Sequence, residues 1–433
     1  MYLVYSFLLG LGFVIMLPKL LLDAWRHGKY ISGLGERLGS ISKSSTDKPV
    51  IWIHCVSVGE VQAARPLVHA LSREFPAHSI FVSTVTITGQ AVAREVFKDL
   101  ASRVFYFPID WRWTVRRVLD SINPAMVLIM ETELWPNFLR ECRNKDIPVA
   151  VVNGRLSEKS FSRYQLVSSF ISKVINHLSL ALMQTEMDAE RMRRLGLTSE
   201  RVIVCGNVKF DAGEEDHSRY LMAELTTRFG FSSGRPVIVA ASTHDPEERI
   251  VIDSLRKLHQ SAKSDVRLVI APRHPERFSS VAALVQESGF SYVRRSAPPA
   301  DLDRDADIVL FDSIGELRSL FPLASIVFVG GSLAPVGGHN ILEPAAAGAC
   351  IVTGPHTKNF DEIVRTFTSR KAVIQLGLEE NGTVPSTLAS VFSELLNDRA
   401  KCDELGLRGK ALIEENRGAT ACIIEHLKEL LGT

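Results

Sequence analysis

Short apolar runs alternate with segments of helical spacing along most of the chain after Pro49. The runs lack the alternation of apolar and polar residues, which is typical of parallel strands covered on both faces. In the first half they are residues 50–55, 79–84, 103–107, 126–131, 148–152, 180–184 and 202–206. In the second half they are residues 236–241, 267–271, 307–311, 325–329, 350–354 and 371–376. Because the intervening segments, such as 60–75 and 136–145, have the spacing of amphipathic helices, the pattern predicts two series of β/α units.

A polar stretch, residues 206–220, separates the two series. A chain of 433 residues also exceeds what one hydrophobic core usually organises. We therefore predict an α/β protein with two doubly wound, Rossmann-like domains that face a cleft. The expected bounds are 49–211 and 212–433, and the tail from about Leu388 is predicted to be helical.

The first residues differ from the rest, because residues 2–18 are apolar before Lys19 is reached. A length of about 17 to 25 residues is needed to cross a bilayer. The absence of a charged region before the segment and of a cleavage site behind it argues against a removable signal peptide. We predict a membrane anchor, of signal-anchor or transmembrane type, over residues 1–22. An in-plane anchor remains open, and a buried N-terminal helix is the alternative.

A basic juxtamembrane segment is predicted over residues 23–48. Positive charge after an apolar segment keeps the following domain on the cytoplasmic side of the membrane. The charges that follow the apolar run include Lys19, Arg26, Lys29 and Arg37, against Asp23 and Glu36.

Charge and cysteine content exclude some classes of protein. A net charge of +1 provides no general basic field for nucleic acid, so any anion must be bound at a local site. The six cysteines are widely spaced, without a CxxC pair or zinc-type spacing. This favours a reducing compartment and argues against a structural metal.

Ligands of open α/β sheets bind at the carboxyl ends of the strands, and acids follow two strands of the first half. Glu60 in "SVGE" lies near a predicted helix start, where it can accept a proton from a hydroxyl or simply cap the helix. Glu131 and Glu133 in "METELWPN" can share proton transfer and stabilise an oxocarbenium-like centre. The alternative is that they are solvated acids on a loop. Lys209 in "GNVKFD" is either a point charge for a phosphate or sugar carboxylate, or a surface lysine.

The second half contains a candidate anion site. Arg273 and His274 directly follow a strand, and a guanidinium can contact phosphate at two points. The glycine-rich segment 328–348 leads into a helix predicted to open near Asn340, so its free N–H groups are expected to bind phosphate. Glu343 lies about one turn into that helix, within reach of a ribose, and residues 312–317 can complete a nucleotide pocket. A merely tight loop is the alternative.

Many of these motifs occur together in one known family. In order along the chain they include "GERLG", "SVGE", "METELWPN", "NGRLS", "GNVKFD", "STHDPEE", "PRHPERF" and "GGHNILEPAAAG". With them the chain resembles the 3-deoxy-D-manno-oct-2-ulosonic acid (Kdo) transferases of lipopolysaccharide synthesis. The resemblance implies the GT-B glycosyltransferase fold, CMP-Kdo as donor and a lipid A precursor (lipid IVA) as acceptor. It also implies action at the cytoplasmic face of the inner membrane, with no nucleic acid as partner.

The resemblance also implies roles for particular residues. Glu60 corresponds to the general base of an inverting transfer, and Glu131 and Lys209 correspond to residues that stabilise the transition state. The positions that correspond to CMP-binding residues are Pro272, Arg273, Ile314, Gly315, Glu316, Asn340, Ile341, Leu342 and Glu343. No metal or other cofactor is expected, since arginine, lysine and a helix N-terminus can neutralise the single phosphate of CMP.

Three alternatives from other classes remain at this point. They are a GT-B transferase that uses another nucleotide sugar, such as a UDP-sugar, a nucleotide-sugar epimerase on the same fold, and an inactive membrane-tethered lipid-binding protein. The predicted anchor argues against the epimerase, and the presence of Glu60, Glu131 and Arg273 argues against the inactive protein.

Overall fold

The computed structural model describes residues 1–27, 33–42, 47–211, 218–231, 233–260, 265–377 and 384–432. Lys29 of the predicted basic flank and residues 212–217 of the polar stretch lie outside the described residues. The chain divides into two compact units, Met1–Gly213 with Asn416–Thr433, and Glu214–Glu415.

The first unit is built on a parallel sheet of seven strands within the described chain, in the order β3-β2-β1-β4-β5-β6-β7. The strands are β1 Val50–Cys55, β2 Ser79–Thr84, β3 Arg103–Tyr106, β4 Pro124–Met130, β5 Val149–Gly154, β6 Leu180–Met183 and β7 Val202–Val204. The helices are α1 Tyr2–His27, α2 Leu34–Arg37, α3 Val58–Glu74, α4 Ile87–Val96, α5 Arg112–Ile122, α6 Pro136–Asn144, α7 Glu158–Gln165, α8 Ser168–Ile175 and α9 Glu186–Arg194. Short 3-10 helices cover Ser199–Arg201 and Val208–Asp211.

The second unit contains a second parallel sheet, with the strand order β10-β11-β9-β8-β12-β13-β14. Its strands are β8 Val237–Thr243, β9 Arg267–Pro272, β10 Tyr292–Arg294, β11 Ile308–Leu310, β12 Ile326–Val329, β13 Cys350–Thr353 and β14 Ile374–Gln375. Its helices are α10 Ser218–Phe229, α11 Glu247–Gln260, α12 Phe278–Glu287, α13 Leu342–Ala346, α14 Asp361–Ser369, α15 Val384–Asn397 and α16 Arg399–Asn416. Further 3-10 helices cover Pro275–Arg277, Asp301–Arg304 and Leu317–Leu323.

Burial of both sheet faces explains the unbroken apolar runs. In β1 the side chains of Val50 and Trp52 belong to one hydrophobic cluster, and those of Ile51 and Ile53 belong to another. Because each face is covered, neither set of alternating positions needs polar residues. Every strand that the pattern predicts is present. The prediction missed β10, whose three half-buried residues form the edge of the second sheet and give little apolar signal.

Helix α1 packs against its own unit along one side. The Tyr5 hydroxyl donates a hydrogen bond to Asp110 (3.0 Å), and the Tyr2 hydroxyl lies 2.8 Å from Nε2 of His177. The rings of Phe13 and Trp111 pack edge to face, with centroids 5.1 Å apart. Apolar side chains on the remaining surface are exposed, including Leu3, Phe7, Leu11, Val14 and Ile15. Within the described part of the chain, we find no helix with both the length and the apolar character needed to cross a bilayer.

Part of the predicted basic flank also packs onto the first unit. The Arg37 guanidinium donates a hydrogen bond to the carbonyl oxygen of Val85 (2.5 Å) and lies 4.3 Å from the ring centroid of Tyr106. Glu36 accepts a hydrogen bond from the backbone N–H of Tyr106 (2.8 Å). Helix α2 is therefore attached to the strand edge at β3.

The end of the chain returns to the first unit, which corrects the expected bounds of the second domain. Helix α17, Ala419–Leu431, begins after Gly418, which has a positive φ of 101°. Asp211 accepts hydrogen bonds from the backbone N–H groups of Gly418 (2.7 Å) and Thr420 (2.5 Å). The side chains of Ile423 and Leu427 join the core beside α3.

A disulfide joins Cys205, after β7, to Cys422 of α17. The pairing runs against the reducing compartment that cysteine spacing favoured. Its two residues are 217 positions apart, so only the packing of α17 brings them together.

We expect the substitution Asp211→Ala to lower the free energy of unfolding by about 1–2 kcal/mol, because it removes the side-chain cap of α17. Denaturant titration measures the change. Asp99→Ala, at an exposed aspartate, is the matched control and should behave as the wild type. Equal stability of the two variants would show that Asp211 does not hold α17.

Candidate active site

Glu60 occupies the first turn of α3, directly after β1. Ser57 caps the helix, since its Oγ accepts the backbone N–H of Glu60 (3.4 Å). The Glu60 carboxylate turns back and accepts hydrogen bonds from the Val56 backbone N–H (2.7 Å) and the Ser57 hydroxyl (3.0 Å). The capping role considered from the sequence is therefore real, and it fixes the carboxylate at the carboxyl end of the strand.

The surroundings of Glu60 make it a carboxyl group that can exchange a proton near neutral pH. Burial raises the pKa of Glu60 to about 7, and only 6% of the residue is exposed. The charges of Glu131 and Glu133 raise this pKa further, while the hydrogen bonds from Val56 and Ser57 lower it. Burial and the charge of Glu131 also raise the pKa of Glu133. A base with a pKa near the working pH is the most effective in proton transfer.

Glu131 lies at the end of β4, next to β1 in the sheet. Its backbone is in the left-handed region, with φ of 55°, and its N–H donates to the carbonyl oxygen of Val152 (3.0 Å). A residue with a side chain adopts this conformation at a cost of about 1–3 kcal/mol, and such strain concentrates at functional sites. The structure thus brings the predicted carboxylates of the first half together at adjacent strand ends.

Lys209 belongs to the 3-10 helix Val208–Asp211, which contacts α3. Asn207 accepts the backbone N–H of Lys209 (3.0 Å), and Gln184 in turn accepts a hydrogen bond from the Asn207 amide (3.0 Å). Buried Asn153 accepts the backbone N–H of Val208 (3.1 Å). Asn153 and Gln184 were missed as positioning residues, although both are polar residues at the ends of apolar runs.

In the second unit, Pro272 ends β9 and Arg273 follows it. The backbone N–H of Arg273 donates to the carbonyl oxygen of Thr243 (3.0 Å), which ties the ends of β8 and β9 together. The Arg273 guanidinium is exposed, and among the described residues it has no hydrogen-bond or ion-pair partner. It is therefore available for an anion.

The glycine-rich loop after β12 is held by Glu247, which lies in the first turn of α11. The fully buried carboxylate of Glu247 accepts five backbone N–H groups, at 2.7 to 3.2 Å. The donors are His244, Gly331, Ser332, Leu333 and Ala334. The expectation that free N–H groups of this loop bind phosphate is wrong for residues 331–334. A Cβ at Gly330 would lie 2.7 Å from the carbonyl oxygen of Ser242, so this close approach requires glycine.

The segment Asn340 to Glu343 opens the five-residue helix α13. Asn340 Oδ1 accepts the backbone N–H of Leu342 (3.0 Å), but the capping position of α13 is Ile341 and not Asn340. Oε1 of Glu343 accepts hydrogen bonds from Arg318 (2.9 Å) and from the Asn340 amide (3.3 Å). The side chains of Ile341 and Leu342 are buried and belong to the core.

Ile314, Gly315 and Glu316 form an exposed turn after β11. The Ile314 side chain is 77% exposed, and Gly315 has a positive φ of 84°. Partial burial alone would raise the pKa of Glu316, but hydrogen bonds from Arg295 (2.9 and 3.1 Å) lower it. Because β11, β9, β8 and β12 are consecutive in the sheet, the predicted donor-binding residues all lie along the carboxyl ends of neighbouring strands.

One group of potential metal ligands occurs in the described part of the chain. It consists of Cys205, Cys422 and His426, and its two sulfur atoms are joined in the disulfide. The expectation that no metal takes part in the reaction stays a prediction.

The two parallel α/β units have a GT-B-like fold. The structure is similar to that of a UDP-GlcNAc 2-epimerase from Neisseria meningitidis, with a TM-score of 0.53 and 14% identity over 88% of this chain and 100% of the other. At this identity the similarity shows the fold alone. The fold therefore places the protein in the GT-B-like class of two-domain α/β proteins.

Comparison of sequences defines the family. A family profile described as 3-deoxy-D-manno-octulosonic-acid transferase (kdotransferase) matches residues 32–212. The chain is 35% identical to a 3-deoxy-D-manno-octulosonic acid transferase of Haemophilus influenzae, over 93% of this chain and 92% of the relative. It is 30% identical to the enzyme of that name from Bordetella pertussis, over 96% and 97% of the two chains. The chain belongs to the 3-deoxy-D-manno-octulosonic acid transferase family and is a glycosyltransferase, as the motifs predicted.

We expect Glu247→Gln to lower the free energy of unfolding by about 2–3 kcal/mol, because an amide NH₂ would replace an acceptor and leave buried N–H groups unpaired. Urea denaturation measures the loss. Glu287→Gln, at an exposed glutamate of the same unit, is the control. A Glu247 variant as stable as this control would contradict the holding role of the carboxylate.

The raised pKa of Glu60 also predicts a pH dependence of stability. A carboxyl whose pKa is higher in the folded state than in the unfolded state stabilises the fold at low pH, and this contribution disappears as the pH rises through about 7. From about pH 5.5 to about pH 8.5, the free energy of unfolding of the wild type should therefore fall by about 2 kcal/mol relative to that of Glu60→Gln. Denaturant titration at both pH values gives the difference, with Glu95→Gln, at an exposed glutamate of α4, as the control. A difference that does not change with pH would mean that Glu60 titrates normally.

Proposed function

We propose that this enzyme transfers Kdo from CMP-Kdo to a hydroxyl group of a lipid A precursor, lipid IVA, with inversion at the anomeric carbon. The observation that supports this best is the buried Glu60 carboxyl, whose pKa is about 7 and which faces the charges of Glu131 and Glu133. Family membership supports the transferred sugar, because both reported relatives are named as transferases of this sugar.

In the proposed mechanism the first unit activates the acceptor. Glu60 accepts the proton of the acceptor hydroxyl while its oxygen forms a bond to the anomeric carbon of Kdo. Glu131 stabilises the positive charge that develops on the sugar. Lys209 stabilises negative charge, on the sugar carboxylate or on the departing phosphate.

The second unit is proposed to bind CMP-Kdo. Arg273 contacts the phosphate, because its guanidinium is exposed and has no partner among the described residues. Oε2 of Glu343 accepts a hydrogen bond from a ribose hydroxyl, since the hydrogen bonds from Arg318 and Asn340 both go to Oε1. Backbone groups of Pro272, of residues 314–316 and of residues 340–343 contact the nucleotide. The donor has a single phosphate, which these groups neutralise without a metal ion.

Membrane association is proposed through helix α1, with the enzyme at the cytoplasmic face of the inner membrane. The exposed side chains of Leu3, Phe7, Leu11 and Ile15 form an apolar surface on α1, while Tyr2 and Tyr5 attach it to the first unit. An apolar helix surface of this kind can lie in the interface of a bilayer, beside an acceptor that is itself a lipid.

Glu60→Gln should lower the rate of Kdo transfer by roughly 10²–10⁴-fold, because the amide cannot accept the proton. Mass spectrometry of lipid IVA after incubation with CMP-Kdo in detergent measures transfer, and Glu95→Gln is the control. In the wild type, kcat/KM should rise with pH through about 7, as Glu60 loses its proton.

The same assay separates the alternatives. Equal activity of Glu60→Gln and the wild type would remove Glu60 from the mechanism. Transfer from UDP-sugars in place of CMP-Kdo would indicate another donor. Turnover of a nucleotide sugar without any lipid would indicate an epimerase.

A further inference from the structure

Three histidines from different loops meet at the carboxyl edge of the second sheet. His244 follows β8, His274 follows β9, and His339 belongs to the glycine-rich loop after β12. The rings of His244 and His339 are nearly parallel, with an interplanar angle of 10°, and meet end to end, with their Nε2 atoms 2.8 Å apart. The ring of His274 packs edge-on against that of His244, with centroids 5.1 Å apart.

The contact between the two Nε2 atoms limits the charge of the His244–His339 pair. One Nε2 must carry a hydrogen and the other must accept it, so the neutral pair uses opposite tautomers. One additional proton can enter at Nδ1 of the donor ring without breaking the hydrogen bond. A second additional proton would place hydrogens on both Nε2 atoms. The pair therefore alternates between neutral and singly charged forms with little change in geometry.

Charged groups of both signs surround the pair. Glu247 and Glu248 face His244, but Glu247 is saturated by backbone N–H groups, and Glu248 is paired with Arg277 at 2.6 Å. On the positive side, Arg277 and His274 act on His244, and Arg273 and His274 act on His339.

These surroundings keep the pair neutral when no anion is present. Burial lowers the pKa of His244. Burial, the neighbouring His244 and Arg273 lower the pKa of His339 to about 4. An anion beside the rings would raise the pKa of the pair again, because a negative charge favours the protonated, positively charged imidazole.

We infer that the His244–His339 pair takes up one proton when the phosphate of the donor binds and gives it to a phosphate oxygen when the bond to the sugar breaks. The inference rests on the proposed function, because it takes the donor to be a CMP-sugar. The bond between the anomeric carbon and the phosphate oxygen breaks, and its electron pair stays on the phosphate. The pair protonates an oxygen of this phosphate, while Glu60 accepts the proton of the attacking hydroxyl. Solvent then restores both groups.

Isothermal titration calorimetry with CMP tests the first step independently of catalysis. Titrations in two buffers of different ionisation enthalpy count the protons that enter on binding. The wild type should take up about one proton with CMP and none with cytidine, which lacks the phosphate. His339→Gln should take up none and should bind CMP roughly tenfold more weakly, because a charged hydrogen-bond donor is replaced by a neutral one.

The control is His259→Gln, in the same unit. His259 contacts the carbonyl oxygen of Val266 through Nε2 at 3.0 Å, and a glutamine can make this contact. This variant should bind CMP with the affinity and proton uptake of the wild type. His244→Gln provides a second test of the pair, and circular dichroism verifies that each variant is folded.

The pH profile of transfer tests the second step. The kcat of the wild type should fall at high pH, where the pair loses its proton in the complex, and His339→Gln should lack this descending limb. Unchanged proton uptake in both folded histidine variants would overturn the inference. Wild type that transfers Kdo but takes up no proton with CMP would overturn it while leaving the proposed function intact. Wild type that neither binds CMP nor transfers Kdo would refute the proposed function itself.

Discussion

Parallel pairing of the strands is the constraint on which the candidate site residues of each unit depend. In each sheet the strands run in one direction, so the loops after them open at one edge. Residues that are distant in sequence, such as Glu60 and Glu131, follow neighbouring strands for this reason. The same constraint brings Arg273 beside His244 in the second unit, because β9 pairs with β8.

Two buried glutamates at helix starts illustrate how hydrogen bonding separates a structural carboxylate from a reactive one. Glu247 accepts five backbone N–H groups and has no role left except to hold the glycine-rich loop. Glu60 is about as buried but accepts only two hydrogen bonds, and it faces further carboxylates. The cost of its charged form is therefore not fully compensated, and its pKa rises into the range useful for proton transfer. The helix start alone does not distinguish the two.

In the loop after β12, different groups hold the structure together and remain available for a ligand. Glu247 occupies the N–H groups that a phosphate would otherwise use, while Gly330 allows the strands to approach closely. Side chains also remain for an anion, namely the exposed guanidinium of Arg273 and the paired rings of His244 and His339. An anion site made of side chains can change its charge, which a site made of backbone groups cannot do.

The sequence by itself determined the two α/β series, nearly all strands, and the presence of Glu60, Glu131 and Arg273 at strand ends. These features follow from local patterns, because burial on both faces and the strand-end rule are legible over a few residues. Only the tertiary structure decided that Glu247 would face the loop after β12, that His244 would meet His339, and that α17 would return to the first unit. Each of these results from contacts between residues far apart in sequence, and such contacts depend on how the elements pack. The edge strand β10 escaped notice for a different reason, since three half-buried residues leave too weak a hydrophobic signal.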